Sequence, residues 1–435
     1  MMKNFIFYSI CRDKKHLMFG LLLLSCIIFT LIIQPSTADF NYTLPIFGNA
    51  NEDQNLNEED ILLIQSIIDG NSVKTELADA NNDGVINDQD IEQIKKLNNG
   101  DASYIIVRDS NQKPVKISLP VNTIIPLNAM IDEQIVAIGS GGKIIGIDTQ
   151  TTKDTKLFPE ISKLPDVGIE SEPDIEKLVS LHPDLVIDLE YADDTVMEKM
   201  KDAGLSAISL PFHGGLSDSA SSTKTLGYIL GNREKAIDYI NWYSNYLTQI
   251  KDKIKNLDNS NKPNVFFLWS SGKNLGSSGQ DSVTRDWLEF AGTNDLGGNI
   301  PGNYVNIDPE YVIEKNPEII ILDADYPSQH GFTGYQSNTT VDETSINQLI
   351  ALPGFDSIDA IKNNNIYAVS NRISTYTPWL GEIYLSKIMH PELFSDIDPR
   401  SIHEEYVKRF LGINYDIYNN GLFLYPIPTD WPKSK

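Results

Sequence analysis

Two stretches of this chain, 134 residues apart, carry the same pattern. The first reads Asp174-Ile-Glu176-Lys-Leu-Val-Ser-Leu-His-Pro183-Asp-Leu-Val-Ile187, and the second Asp308-Pro-Glu310-Tyr-Val-Ile-Glu-Lys-Asn-Pro317-Glu-Ile-Ile-Ile321. Each opens on an aspartate suited to cap a helix, continues for about two turns, stops at proline and turns apolar. A short apolar run after such a helix reads as a strand buried on both faces, as in a parallel sheet covered by helices. A chain that repeats this unit builds it twice, so two similar α/β lobes are expected.

The segment between the copies indicates how the lobes join. Residues 217–257 hold no proline and only two glycines, Gly227 and Gly231. Leu226, Ile229, Leu230, Ala236, Ile237, Ile240, Tyr243, Leu247, Ile250 and Ile254 recur with helical period. A break near Gly231-Asn232 divides the run, and its later part would reach about 36 Å at 1.5 Å per residue. Before it, an opening hairpin (104–107 with 114–118) precedes expected strands at 135–138, 143–147, 184–187 and 206–210 and helices at 173–181 and 193–203. After it, strands at 265–268, 319–322 and 366–369 alternate with helices at 282–291 and 308–315, the rhythm of βαβ units. The expected division is an N-terminal lobe over 103–225, a connecting helix over 226–260, a C-terminal lobe over 261–412 and a tail over 413–435.

A second repeat has a period of 30 residues. Asn49, Asn51, Asp53, Asn55, Asn57 and Asp60 align with Asp79, Asn81, Asp83, Val85, Asn87 and Asp90. Oxygen-bearing side chains fall at positions 1, 3, 5, 9 and 12 of each loop, with a backbone carbonyl available at position 7 (Asn55 or Val85). Ca²⁺ is a hard cation that takes six to eight oxygens, and a 12-residue loop delivers them at this spacing. The second loop is expected to bind more strongly, because Asp79 opens it and Gly84 serves its sharp turn. The first has Asn49 and Gln54 at those places. Leu56 and Ile86, at position 8, are expected to pair the loops in a short strand. A small all-α paired EF-hand-like module over 44–100 follows.

The 60 acidic residues outnumber the 35 basic ones, for a net charge of −25. Binding to nucleic acid needs clustered Lys and Arg, so that class is excluded. Both cysteines, Cys11 and Cys26, precede residue 27, which removes disulfides, thiolate metal sites and cysteine nucleophiles from the body. Lys3, Arg12, Lys14 and Lys15 flank an apolar run from Leu17 to Ile33, and Ser36-Thr37-Ala38 offers a cleavage site. Residues 1–38 therefore read as a signal peptide or membrane anchor. The body is expected outside the cytoplasmic membrane, periplasmic or extracellular, touching the membrane only through this segment.

The duplicated loops resemble dockerin type I modules, on Gly48-Asn-Ala-Asn51 and Ala78-Asp-Ala-Asn81. That resemblance implies calcium in both loops and a cohesin-like partner, although no hydroxyl pair stands at positions 10 and 11 (Glu58-Glu59, Asp88-Gln89). The rest resembles the substrate-binding proteins of ABC importers for vitamin B12, ferric siderophores and haem, the helical-backbone class. The stretches that carry this are Ile138-Gly to Ile147, Asp174 to Ile187, Gly276-Ser-Ser-Gly-Gln-Asp-Ser282 with Glu289-Phe-Ala-Gly292, Asp308 to Leu322, Ile361 to Val369 and His390-Pro-Glu-Leu-Phe394. The resemblance implies two lobes on a long helix, a non-enzymatic transport role and an ABC permease as partner. It also implies that Glu176 and Glu310, one per lobe, dock onto permease arginines.

Ligand contacts are expected in loops at the C-terminal ends of strands. These place Tyr191, His213, Trp269, Tyr376 and Trp379 as candidates, with His330 and Tyr335 in the long loop after 319–322. Tyr304 joins them by resemblance to the vitamin B12-binding relatives. Aromatic faces hold flat tetrapyrroles and catecholate chelates, and His or Tyr can complete an iron coordination sphere. Ferric siderophore, cobalamin and haem all remain open. Two rival functions are a calcium-dependent cell-surface attachment or scaffold protein and an extracellular enzyme. For the latter no Gly-x-Ser-x-Gly elbow, Walker loop or His-Glu-x-x-His is present.

Overall fold

The computed structural model describes residues 42–270, 275–323, 334–335 and 339–432. The leader segment and His330 lie outside them. Among the described residues the first two helices are α1 (Glu58–Ile68) and α2 (Asp88–Asn99). Asn57 and Asn87 cap them, and Asp60 and Asp90 reach back to close a capping box in each. The hairpin β1 (Tyr104–Arg108) and β2 (Pro114–Ser118) follows, antiparallel.

The N-lobe is built from β3 (Ile124–Pro126), α3 (Ala129–Ala137), the small hairpin β4 (Gly168–Ile169) and β5 (Glu172–Pro173), α4 (Ile175–Leu181), β6 (Leu185–Leu189), α5 (Asp194–Asp202) and β7 (Ala207–Leu210). Its sheet is parallel in the order β3-β6-β7. α6 (Leu216–Ile229) and α7 (Arg233–Ile254) are the connecting helices. The C-lobe holds β8 (Asn264–Ser270), β9 (Leu275–Ser278), α8 (Val283–Phe290), β10 (Asn294–Asp295), β11 (Tyr304–Ile307), α9 (Pro309–Lys315), β12 (Ile319–Asp323), α10 (Thr339–Ile350), α11 (Asp359–Lys362), β13 (Ile366–Val369) and α12 (Asn371–Ser374). It ends with α13 (Pro378–Met389), α14 (Pro399–Arg409), α15 (Ile417–Asn420) and β14 (Leu424–Tyr425). Its sheet runs β11-β9-β8-β12-β13-β14, with β8, β12 and β13 parallel.

The break in the long helical stretch falls where the two glycines stand. Gly231 adopts φ +72° and ends α6. At Gly227 a Cβ would come within 2.7 Å of the Ala236 methyl, so only glycine lets α6 and α7 approach this closely. α7 buries Tyr239, Trp242, Tyr243, Leu247 and Ile250 against the C-lobe helices. Trp379 of α13 sits in this seam. It stacks on Tyr243 at 5.2 Å, meets Trp242 at 5.3 Å and Tyr406 at 5.2 Å, and donates its indole N–H to the Tyr239 hydroxyl at 2.9 Å.

Four local expectations need correction. Residues 135–137 belong to helix α3, and Ile138 is its C-cap, not part of a strand; nearly every side chain of α3 is buried, so its pattern carries no helical period. Residues 143–147 make only isolated bridges, Ile124 with Ile144 and Ile147 with Asp166. No bridge joins Leu56 to Ile86 among the described residues; Leu56 is buried in the core instead. The stretch from 413 is more than a tail: β14 adds an antiparallel strand to β13, and Trp431 is buried.

The module over 44–100 is welded to the body. Its Leu44, Ile46, Leu56, Ile64 and Ile94 share one core with Ile105, Val107 and the connecting helices. Ile46 bridges Val107, Phe47 N–H donates to the Ile106 carbonyl, and Arg233 donates to Asn98 at 3.3 Å.

Because Trp379 is 2% exposed and touches both connecting helix and C-lobe, Trp379→Ala should cost about 3–5 kcal/mol. A urea titration that shows an unchanged midpoint would remove this side chain from the seam that holds the lobes.

Candidate functional site

The loops that leave β6 and β7 are stitched together by Glu190. Its two carboxylate oxygens accept from the backbone N–H groups of Phe212 and His213, each at 3.1 Å. This brings Tyr191 and His213 edge to face at 6.0 Å, with Tyr191 54% exposed. From the C-lobe, Tyr376 reaches the same region. Its hydroxyl accepts from Gln150 of the N-lobe at 2.7 Å, and the Arg372 guanidinium lies 4.4 Å over its ring. Tyr191 and His213 thus stand beyond the ends of β6 and β7, and Tyr376, between α12 and α13, approaches Tyr191 from the other lobe. Trp269 and Tyr304 form a second pair, 5.6 Å apart, on the β8–β9–β11 edge.

Two other candidates do not belong to the cleft. Trp379 is the core residue described above. Tyr335 is 4% exposed, and its hydroxyl pairs with Nε2 of His403 at 2.8 Å. An aromatic that follows a strand serves the core as readily as a ligand, and sequence position alone does not separate the two.

Sequence reasoning missed the carboxylates. Asp188 lies one residue before the end of β6, 1% exposed. Its Oδ1 accepts from Leu189 N–H at 2.8 Å, and its Oδ2 has no partner among the described residues. Burial raises its pKa to about 7, and Glu170 adds to the rise. Glu170, in the β4–β5 turn, accepts from Asn128 at 2.6 Å and is itself raised, by burial first and then by Asp148 and Glu190. Thr151 Oγ1 lies 2.7 Å from Asp132 and 2.5 Å from Asp148. One hydroxyl supplies one proton, so both contacts are hydrogen bonds only if one of these carboxyls is protonated. Burial, followed by Asp148, raises Asp132 well above the usual range. The one visible signal is a charged residue, Asp188, in the penultimate place of an otherwise apolar strand.

Cations are scarce here. Arg372 is 5% exposed and pairs with Asp154 and, at 3.8 Å, with Glu133. A cavity of about 480 Å³ opens beside this region between Gly214–Ser217 of the N-lobe, the end of α7, and Asp286, Trp287 and Glu382 of the C-lobe.

Glu176 and Glu310 occupy matching places. Each sits in the first turn of its helix, α4 or α9, exposed, behind an N-cap aspartate, Asp174 or Asp308. Both helices end on a left-handed residue, His182 at φ 52° and Asn316 at φ 45°. The sequence repeat is therefore also a repeat of backbone.

The two 12-residue loops share hydrogen bonds. Asp60 accepts from the N–H groups of Asn51 and Asn57 at 3.2 and 2.8 Å, and Asp90 from those of Asn81 and Asn87 at the same distances. Asp79 accepts from Asp83 and Gly84 N–H at 3.1 and 2.7 Å. In the first loop Asn49 turns its amide to the Leu44 and Asp53 carbonyls, leaving its buried Oδ1 without a partner. Lys224 of α6 donates to the Gln54 carbonyl at 2.7 Å and to Asn55 at 2.9 Å, and burial lowers its pKa to about 8. Among the described residues no three His, Cys, Asp or Glu side chains gather closely enough to hold a metal ion.

Two α/β lobes on a helical spine, with aromatic and acidic groups at strand ends between them, define a solute-binding protein. The chain belongs to the periplasmic binding protein family, which matches residues 124–372, more than half of it. It is 24% identical over 299 residues to the uncharacterized ABC transporter substrate-binding lipoprotein YvrC of Bacillus subtilis, covering 67% of this chain and 87% of that one. It is 18% identical to the molybdate-binding protein MolA of Haemophilus influenzae, covering 71% and 92%. Its fold matches the TroA-like periplasmic binding protein FepB of Veillonella parvula with a TM-score of 0.62 at 21% identity, covering 74% and 99%. The role of this family is extracytoplasmic and non-enzymatic: its members are the substrate-binding proteins of ABC import systems and work with a permease. No helix among the described residues is long and apolar enough to cross a membrane.

Because Asp188 holds its proton more tightly folded than unfolded, it makes stability fall as pH rises from its ordinary 3.8 toward about 7. Asp188→Asn should match wild type near pH 4 and exceed it by a few kcal/mol near pH 8, since linkage is worth about 1.4 kcal/mol for each unit by which the folded carboxyl is raised. Denaturant midpoints across that range test this; equal midpoints at pH 8 would contradict it.

Proposed function

We propose that this protein captures a metal chelate or tetrapyrrole, of the ferric siderophore, cobalamin or haem kind, in the cleft between its lobes and delivers it to an ABC permease. The observation that carries this reading is the meeting of Tyr191 and His213, beyond the N-lobe strand ends, with Tyr376 from the C-lobe. Rings at such a place grip flat or chelated ligands by their faces. Glu176 and Glu310 are the docking carboxylates. Their exposure and equivalent first-turn positions support this, since a carboxylate paired with a permease arginine gives geometry as well as energy. The N-terminal segment acts as signal or anchor.

The 49–90 repeat is a dockerin-like, EF-hand-like calcium module, and its second loop is the stronger site. Asp79, Asp83 and Asp90 bring three carboxylates to that loop; they do not converge on one point in this structure, so Ca²⁺ would have to draw them together. The first loop has only Asp53 and Asp60, with the Lys224 ammonium against it. Surface attachment, by a cohesin-like partner, is supported by the apolar side chains this module exposes: Leu62 at 63%, Val73 at 85% and Val85 at 59%.

A fluorescence screen of the mature chain against cobalamin, haem and ferric siderophores should find one ligand that binds one per molecule. Glu176→Arg with Glu310→Arg should leave that binding intact and abolish import. Unimpaired import would sink the docking assignment, and silence across the whole panel would favour the attachment reading.

Calorimetry of the whole mature chain, since module and body share a core, should show Ca²⁺ binding. Asp79→Ala with Asp83→Ala should remove the tighter event, and heat unchanged by that double variant would place the ion elsewhere.

A further inference from the structure

The twin loops are near-copies in sequence, yet they are held in different ways. In the second loop Asp79 accepts from the N–H groups of Asp83 and Gly84, and among the described residues no side chain from outside 79–90 donates into it. The first loop is stitched from outside. Thr43 Oγ1 donates to the Glu52 carbonyl and Thr75 Oγ1 to the Ala50 carbonyl, each at 2.7 Å, and Leu44 N–H donates to the Asp53 carbonyl at 2.9 Å. Lys224 of α6, itself buried, donates to the Gln54 carbonyl and to Asn55 Oδ1. Ser221, three residues earlier on the same helix, donates to the Thr43 carbonyl at 3.0 Å.

The divergence starts at loop position 1. A carboxylate there only accepts, and Asp79 turns both oxygens to the N–H groups of positions 5 and 6. Asn49 places an amide nitrogen in that position, which donates to the Asp53 carbonyl at 2.7 Å and to the Leu44 carbonyl at 2.8 Å. Only the nitrogen fits between two carbonyls, because an oxygen would find no proton there. The backbone differs to match. The peptide after position 5 points its N–H at Asp79 in the second loop and its carbonyl at Asn49 in the first. Gly84 takes φ +91° at this turn, while Gln54, its counterpart, is not left-handed.

The charges differ as well. The second loop has carboxylates at Asp79, Asp83 and Asp90. The first has only Asp53 and Asp60, and the Lys224 ammonium offsets one of them. Affinity for Ca²⁺ follows the charge of the ligands, and this ammonium bonds position 7, the residue whose carbonyl would complete the ion's shell. Asn49 Oδ1 is buried without a partner, but it is neutral and brings no counter-charge. An ion entering the first loop would have to displace the lysine and break the Asn49 and Thr43 contacts together. One entering the second rearranges only bonds of that loop.

We infer that the first loop takes no Ca²⁺: the Lys224 ammonium and the Asn49 amide stand in for the ion and make the loop a permanent joint between the module and α6, so the chain binds one ion, at 79–90. The inference rests on the calcium reading above for the second loop only. For the first loop it replaces a weak ion site by a cation of the protein's own.

Native mass spectrometry of the full mature chain in Ca²⁺ should count one ion per molecule. Asn49→Asp with Lys224→Met restores the position-1 carboxylate and removes the ammonium, and should raise the count to two. Hydrogen exchange gives a readout that needs no substitution. Ca²⁺ against a chelator should slow backbone exchange over 81–87 by about tenfold or more and leave 51–57 unchanged. Two ions on the wild-type chain overturn the inference, and so does slowing over 51–57 equal to that over 81–87. A double variant that binds no more Ca²⁺ than wild type overturns it too, because freeing the loop then opens no site. If the double variant does not fold, the wild-type count and exchange decide. A wild-type chain that binds no ion removes the calcium reading of the second loop; the joint then stands if the double variant gains one ion and falls if it gains none.

Discussion

One buried carboxylate holds the two lobes to a single geometry. Glu133 of helix α3, 1% exposed, lies in the N-lobe, yet its partners come from the C-lobe. Thr377 donates to its Oε1 at 2.8 Å and Tyr406 at 2.7 Å, while Arg372 stands 3.8 Å from its Oε2. Burial pushes its pKa up, and Arg372, Tyr406 and Thr377 pull it back. A charge so placed contributes little net stability compared with well-packed apolar groups, but losing one partner leaves it stranded at a cost of several kcal/mol. Its effect is on arrangement: Thr377 and Tyr406 both reach its Oε1 only where the lobes meet in this way.

The spine works to the same end by a different force. α7 lays Tyr239, Trp242 and Tyr243 under Trp379 and Tyr406, so an aromatic seam joins the connecting helix to α13 and α14. Such packing is stiff, because interiors have the density of crystals. Large hinge motion would have to break both this seam and the Glu133 cluster. Both therefore oppose a wide swing of one lobe against the other.

The twin-loop module changes meaning once its setting is seen. Its apolar residues form one core with the hairpin β1–β2 and with α6 and α7, so the repeat at 44–100 does not act as a body on a tether. Lys224 ties the first loop to the spine at Gln54 and Asn55. A change in that loop reaches α6 directly, and α6 begins at the cleft, just after His213. The second loop is free of that lysine, and its opening Asp79 is braced by backbone donors of its own loop.

The sequence by itself determined the repeated units. Aspartate caps, stops at Pro183 and Pro317, apolar strands and the glycine break at 231 act over a few residues, so they can be read in order along the chain. It also determined the pairing of Glu176 with Glu310 and the twin loops at 49 and 79, because both are spacings. Only the tertiary structure decided which aromatics face the cleft. Trp379 and Tyr335 look like Tyr376 in sequence, but burial depends on what packs opposite, and that comes from helices far along the chain. The buried carboxylates were equally hidden. Asp132, Asp148, Glu170 and Asp188 are scattered over separate local settings, each ordinary by itself. They act on one another only after α3, β6 and the β4–β5 turn are folded together, where distance and lost water, not sequence separation, set the interaction.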